Sequence, residues 1–237
     1  MESVVFLLPS LMFTLITFDL TLADQCPPGK AIEADVCASK LFVVGNRESR
    51  MPQTISEMDK YCSSVRKAGK CLKSYSSQCL LPLPKQISSV LNRAVETNVN
   101  RICNTQEGRQ EFIRRFSCVN KNINALHQCM DKYIDNLERI KGADSRNKIA
   151  MTCCYSSFFR ACMEKGIEGI CPPDSDEYIH ELIINYTREV LETLCGQWTG
   201  PGAKERCATI PTLPKRDSRS SKSMTPYNPI MDIFANL

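Results

Sequence analysis

The chain has 237 residues, long enough to bury a hydrophobic core, and its formal charge of +4 with 24% charged residues of interleaved sign describes an ordinary polar surface. That mild basicity excludes the field expected of a nucleic-acid-binding protein. The 14 cysteines are even in number and include no C-x-x-C pair, which excludes zinc ribbons and a thioredoxin-like redox centre and leaves a disulfide framework in an oxidising compartment.

From the N-terminus, Val4 to Phe18 is an almost unbroken apolar run, followed by Thr21-Leu22-Ala23, a small-residue cleavage signature. Residues 1–23 are therefore expected to be a signal peptide, with the mature chain starting at Asp24. About 15 apolar residues fall short of the ~20 needed to cross a bilayer, and no later stretch is longer, so no transmembrane segment is expected in the mature chain. Removing residues 1–23 takes away Glu2 and Asp19 and no Lys or Arg, raising the formal charge to +6.

Asp24 to Pro52 lacks sustained periodicity and reads as an irregular or weakly helical entry carrying Cys26 and Cys37. A first long helix follows, opened by the capping-box spacing of Thr54 and Glu57, with Met58, Tyr61, Val65, Ala68, Leu72 and Tyr75 recurring every three or four residues up to Cys79. Pro82 and Pro84 break it, and Pro84 suits the first turn of the next helix, which runs to Cys103 with Ile87, Val90, Leu91, Ala94, Val99 and Ile102 on one stripe. Further amphipathic stretches span 105–117, 121–140, 144–171 and 174–195, the last ending at Gly196, a candidate left-handed cap. Apart from the short run Leu41 to Val44 no alternating strand pattern occurs. The predicted fold is all-α, a disulfide-crosslinked helical bundle, with a cysteine-rich domain over 24–207. From Ala208 the composition turns to Pro, Ser, Lys and Arg without cysteine and with little periodicity until the short segment Ile230 to Leu237, and 208–237 is expected to be a disordered tail, with Lys215-Arg216 a dibasic pair within it.

An internal echo recurs at 92 residues: Cys62 matches Cys154, Cys79 matches Cys171 and Cys103 matches Cys195, while Cys71 and Cys162 miss by one. This suggests duplicated helical-hairpin halves at about 53–118 and 144–207. An antiparallel hairpin places residues equally distant from its turn opposite each other, so disulfides are expected between Cys62 and Cys103 and between Cys154 and Cys195. Around the second turn Cys195 lies near Cys153 or Cys154, and these adjacent cysteines should take different partners.

Chemistry-bearing motifs are sparse. Cys153-Cys154 followed by Cys162 resembles the double-cysteine helix of secreted phospholipases A2, but no histidine lies between these cysteines and no Gly-rich calcium loop precedes them. His180-Glu181 opens like a zinc-protease helix, yet Ile184 stands where the second ligand is needed. His127, amid Asn122, Asn124, Gln128 and Asp131, reads as an exposed helical histidine. Catalytic, cofactor-binding and metal sites are thus all expected to be absent, and the chain is read as a non-enzyme. Arg66, Lys67, Lys70 and Lys73 share a helix face that could meet sulfated glycans or anionic lipid, though a solvated face is the ordinary reading. Asn185-Tyr186-Thr187 is the N-glycosylation sequon.

The series Cys62, Cys71, Cys79, Cys103 and then Cys153-Cys154, Cys162, Cys171, Cys195 resembles the cysteine-rich helical secreted proteins of arthropods, among them the insect haemolymph glycoprotein type, over about two-thirds of the chain. The resemblance implies a secreted, extracellular protein and no particular reaction. The expected function is an extracellular binding or carrier protein, whose ligand could be an apolar small molecule held among Ile87, Leu91, Phe159, Ile183 and Tyr186. The alternative is a protein-interaction or structural extracellular factor, with a protein as its partner.

Overall fold

The computed structural model describes residues 26–216 and 222–237. The expected signal peptide lies outside the described residues. Among the described residues there is no strand, and the α-helices run in the order α1 (Lys30–Ala38), α2 (Ile55–Cys79), α3 (Pro82–Cys103), α4 (Gln106–Phe116), α5 (Ile123–Ile140), α6 (Ser145–Ile167), α7 (Pro173–Cys195), α8 (Ala203–Ala208) and α9 (Tyr227–Ala235). No described helix is long and apolar enough to cross a membrane.

Local chemistry sets most of the boundaries. The Thr54 hydroxyl accepts the Glu57 N–H while the Glu57 carboxylate accepts the Thr54 N–H, so the expected capping box opens α2. Thr105 caps α4 through the Gly108 N–H, and Asp144 caps α6 through the Arg146 N–H. The expectation for Gly196 fails: it is right-handed, at φ −52°, and α7 tightens into a 3-10 turn over Gly196–Trp198. There the Thr199 hydroxyl donates to the Cys195 carbonyl, which a left-handed glycine would otherwise have helped to satisfy.

All 14 cysteines are paired, and their connectivity defines the architecture. Cys26–Cys79, Cys37–Cys71 and Cys62–Cys103 tie α1, α2 and α3 together, with sequence separations of 53, 34 and 41. Cys118–Cys171, Cys129–Cys162 and Cys153–Cys195 do the same for α5, α6 and α7, with separations of 53, 33 and 42. Two modules with the same linkage therefore stand side by side, joined by packing of α3 on α7. Each is wider than the hairpin halves read from the sequence, because each includes the helix that precedes its hairpin.

Of the two expected hairpin clamps, Cys62–Cys103 forms, but Cys195 is bonded to Cys153, and Cys154 is bonded to Cys207. The physical reason is a one-residue shift. Cys37 to Cys62 spans 25 positions and Cys129 to Cys153 spans 24, so an ungapped offset of 92 matches Cys62 with the wrong member of the adjacent pair. Cys154 lies one position further around α6, about 100° away, and faces α8 instead.

The core is built where the modules meet. Met58, Val65, Ile102, Phe112, Phe116, Leu126, Ile179 and Leu182 bury one face of each of α2 to α5 and α7. A third expectation, the disordered tail over 208–237, also fails. Within the described residues, α9 lies across both modules, with Ile233 fully buried in the α5–α6 cluster and Tyr227, Met231 and Phe234 packed against α1, α2 and α3. Its apolar run, Tyr227 to Phe234, is too short to announce itself amid a polar stretch, yet it fills a seam that the other helices leave open.

Polar anchors fix the position of this terminal helix. The buried Asp35 carboxylate accepts from the Met224 N–H (2.6 Å), the Thr225 N–H (3.0 Å) and the Thr225 hydroxyl (2.5 Å). Lys148 donates to the Asn236 carbonyl, the Tyr227 and Ser88 hydroxyls are 2.6 Å apart, and Lys141 bridges Glu138 and Asp232.

Candidate functional site

The site begins with α5 and α6, which Cys129–Cys162 pins side by side. Tyr133 on α5 and Phe159 on α6 stack at 4.6 Å between ring centroids, and Tyr155 meets Phe158 edge to face at 5.4 Å. These rings, with Thr212 and Leu213 of the segment after α8, wall a cleft of about 570 Å³. The segment is held there by Arg139, whose Nε donates to the Pro214 carbonyl at 2.8 Å and whose Nη2 donates to that of Leu213 at 3.2 Å.

The walls differ in exposure. Tyr133 is buried and its hydroxyl lies 2.7 Å from that of Ser156, whereas Phe158 is 49% exposed at the mouth. Burial pushes the Tyr133 phenol up to about 12, against a smaller opposing pull from Ser156, so it stays protonated and serves as a hydrogen-bonding group. Lys132 stands exposed at the rim without an ion pair among the described residues, and Asn136 lies beside it along the cleft. The described lining contains no carboxylate, imidazole or thiol. Apolar walls with a cation at the rim suit an amphipathic anion, with its ring or chain between the aromatics and its charge at Lys132.

A second cleft, of about 380 Å³, lies between Phe42, Gly45, Ile134 and Met224. Its carboxylate, Asp131, already engages both neighbouring cations, Arg47 at 3.1 Å and Lys222 at 3.9 Å. Behind it stands His127, which is buried and not exposed as its polar neighbours in sequence suggest: its Nδ1 accepts the Gly45 N–H at 2.9 Å. Gly45 is left-handed at φ +103°, and a Cβ there would lie 2.9 Å from Met130 Cγ, so this loop needs glycine.

The sequence-derived ligand residues are only partly brought together. Phe159 lines the aromatic cleft, whereas Ile87 and Leu91 pack in the cluster formed with α1, α2 and α9. The side chains of Ile183 and Tyr186 lie outside the described residues. Tyr133, Tyr155 and Phe158 were not legible as ligand residues because they belong to two helices and share no spacing motif. His180 does not approach a second ligand: its Nδ1 lies 3.0 Å from a Glu164 carboxylate oxygen. No group of three or more metal-ligating side chains occurs among the described residues. Asn185 is exposed on α7.

Fold and site together define a disulfide-crosslinked all-α protein of two linked modules with an aromatic cleft in the second. Comparison with protein-family models, with curated proteins and with solved structures finds no match to this chain.

Proposed function

We propose that the protein is a secreted, extracellular glycoprotein that binds a small amphipathic anion in the cleft between α5 and α6, and that it acts as a carrier and not as an enzyme. The observation that carries this reading is the aromatic cleft itself: Tyr133, Tyr155, Phe158 and Phe159 converge on about 570 Å³ with Lys132 at the rim. That volume lies within the range of small-molecule sites, roughly 300–1,000 Å³. Cys129–Cys162 holds the walls in place before binding, which lowers the ordering cost of association. The seven disulfides accord with an oxidising compartment, the apolar run at residues 4–18 with export, and the exposed Asn185 with a glycan.

Titration of the disulfide-intact protein with anilinonaphthalene sulfonate, followed by displacement with laurate and with dodecanol, tests the reading. Laurate should displace the probe, and Phe158→Ala should weaken binding by about tenfold, the consequence of removing one aromatic wall. Lys132→Gln should weaken laurate and leave dodecanol unchanged. Failure of the probe to bind, or equal binding by Phe158→Ala, overturns the assignment of the cleft.

The alternative, a protein-interaction factor, is favoured by one observation: Ile32 and Val36 lie one turn apart on α1, 70% and 44% exposed. A stoichiometric protein partner in native mass spectra from the source fluid, lost on Ile32→Ser, would support it.

A further inference from the structure

The shared linkage of the two modules supplies an internal control for the charged face of α2. From Lys60 to Cys79 this helix carries Lys60, Arg66, Lys67, Lys70 and Lys73 and no acidic residue. All five are exposed, none makes an ion pair among the described residues, and only Arg66 has a polar partner, the Asn104 side-chain oxygen at 2.8 Å. Some other helices pair their charges internally. Glu111 takes both Arg114 and Arg115 on α4, and Glu164 takes Arg160 on α6. Along α2 the pairs Arg66–Lys70, Lys67–Lys70 and Lys70–Lys73 instead place like charges on adjacent turns, where they repel.

The fold does not require this. Aligning the modules through Cys71 and Cys162, as their disulfides dictate, sets Arg66, Lys67, Lys70 and Lys73 against Ser157, Phe158, Ala161 and Glu164 of α6. The same helix position thus carries cations in one module, and in the other the exposed ring of the aromatic cleft and a carboxylate.

We propose that the exposed face of α2 binds a linear sulfated glycan. At 1.5 Å per residue, Lys60 to Lys73 extends over about 20 Å, with its cations concentrated over Arg66 to Lys73, on a helix crosslinked at Cys62, Cys71 and Cys79. Exposed Ser63 between the cations and exposed Ser74 just beyond Lys73 add hydroxyl donors for sulfate oxygens. No aromatic or large apolar side chain is exposed among them, so the track offers neither a stacking surface for nucleobases nor a wedge for acyl chains. This surface is independent of the aromatic cleft and shares with it only the extracellular setting.

The test uses the full, disulfide-intact chain against heparin, desulfated heparin, duplex DNA, and vesicles of phosphatidylcholine and phosphatidylserine in equal parts. Heparin should bind most tightly. The triple variant Lys67→Gln, Lys70→Gln, Lys73→Gln should lose about tenfold or more in heparin affinity, and the slope of log affinity against log salt should fall by about two to three. A control triple, Lys121→Gln, Lys165→Gln, Lys204→Gln, removes the same charge at other exposed lysines and should change affinity by less than about threefold. Circular dichroism of both triples confirms that the fold is intact. Equal loss in the two triples, undiminished binding to desulfated heparin, or tighter binding to DNA or vesicles would overturn the proposal.

Discussion

His127 shows how one buried side chain can set a pH limit on the fold. Its Nδ1 accepts the Gly45 N–H, which an imidazolium could not do. Burial lowers its proton affinity below the ordinary value of 6.5, Arg50 lowers it further, the Ser49 backbone and Asp131 oppose, and Arg47 lowers it again. A histidine with a depressed native value contributes stability that is complete above the unfolded value and is lost as pH falls below it, until the native form also protonates. The unfolding free energy from denaturant titration should therefore drop as pH falls from 7 toward 5, by at most about 1.4 kcal/mol per pH unit for this one proton. Subtracting the same curve for His127→Gln removes the carboxylates' share, and a difference that does not change over this range would refute the assignment.

Among the elements, α9 is the one that sequence patterning concealed and the structure weights most. Long helices were legible because their stripes repeat over several turns, as Met58-Cys62-Val65-Ala68-Leu72 does on α2. A helix of nine residues offers too few repeats, and its anchors come from residues such as Asp35, nearly 190 positions away. Asp35→Ala leaves two N–H groups and one hydroxyl without their acceptor and should cost about 2–4 kcal/mol. Hydrogen exchange should locate the loosening in α9 and α1, with α7 unchanged; uniform loosening would mean that the Asp35 anchor is not local. The aromatic cleft escaped a sequence reading for a related reason. Tyr133 and Phe159 meet where Cys129–Cys162 sets the register of two helices, and Leu213 is held against them by Arg139, which binds the consecutive carbonyls of Leu213 and Pro214.

For the whole molecule, the shared linkage of the two modules underlies both the scaffold and its two unlike faces. The 92-residue echo exposed the repeat, and the adjacent Cys153 and Cys154 hid its register, because spacing alone cannot say which of two neighbours faces α7. Once the register is set, the first module presents cations where the second presents aromatic rings, on helices held by the same three disulfides. Cys154–Cys207 has no counterpart in the first module, where Ser63 takes the place of Cys154. Partial reduction with differential alkylation, followed by peptide mapping of the purified protein, is the most direct test. The account predicts Cys153 joined to Cys195 and Cys154 to Cys207, beside the two matching triplets; Cys154 joined to Cys195, or any substantial population of free thiols, would contradict it.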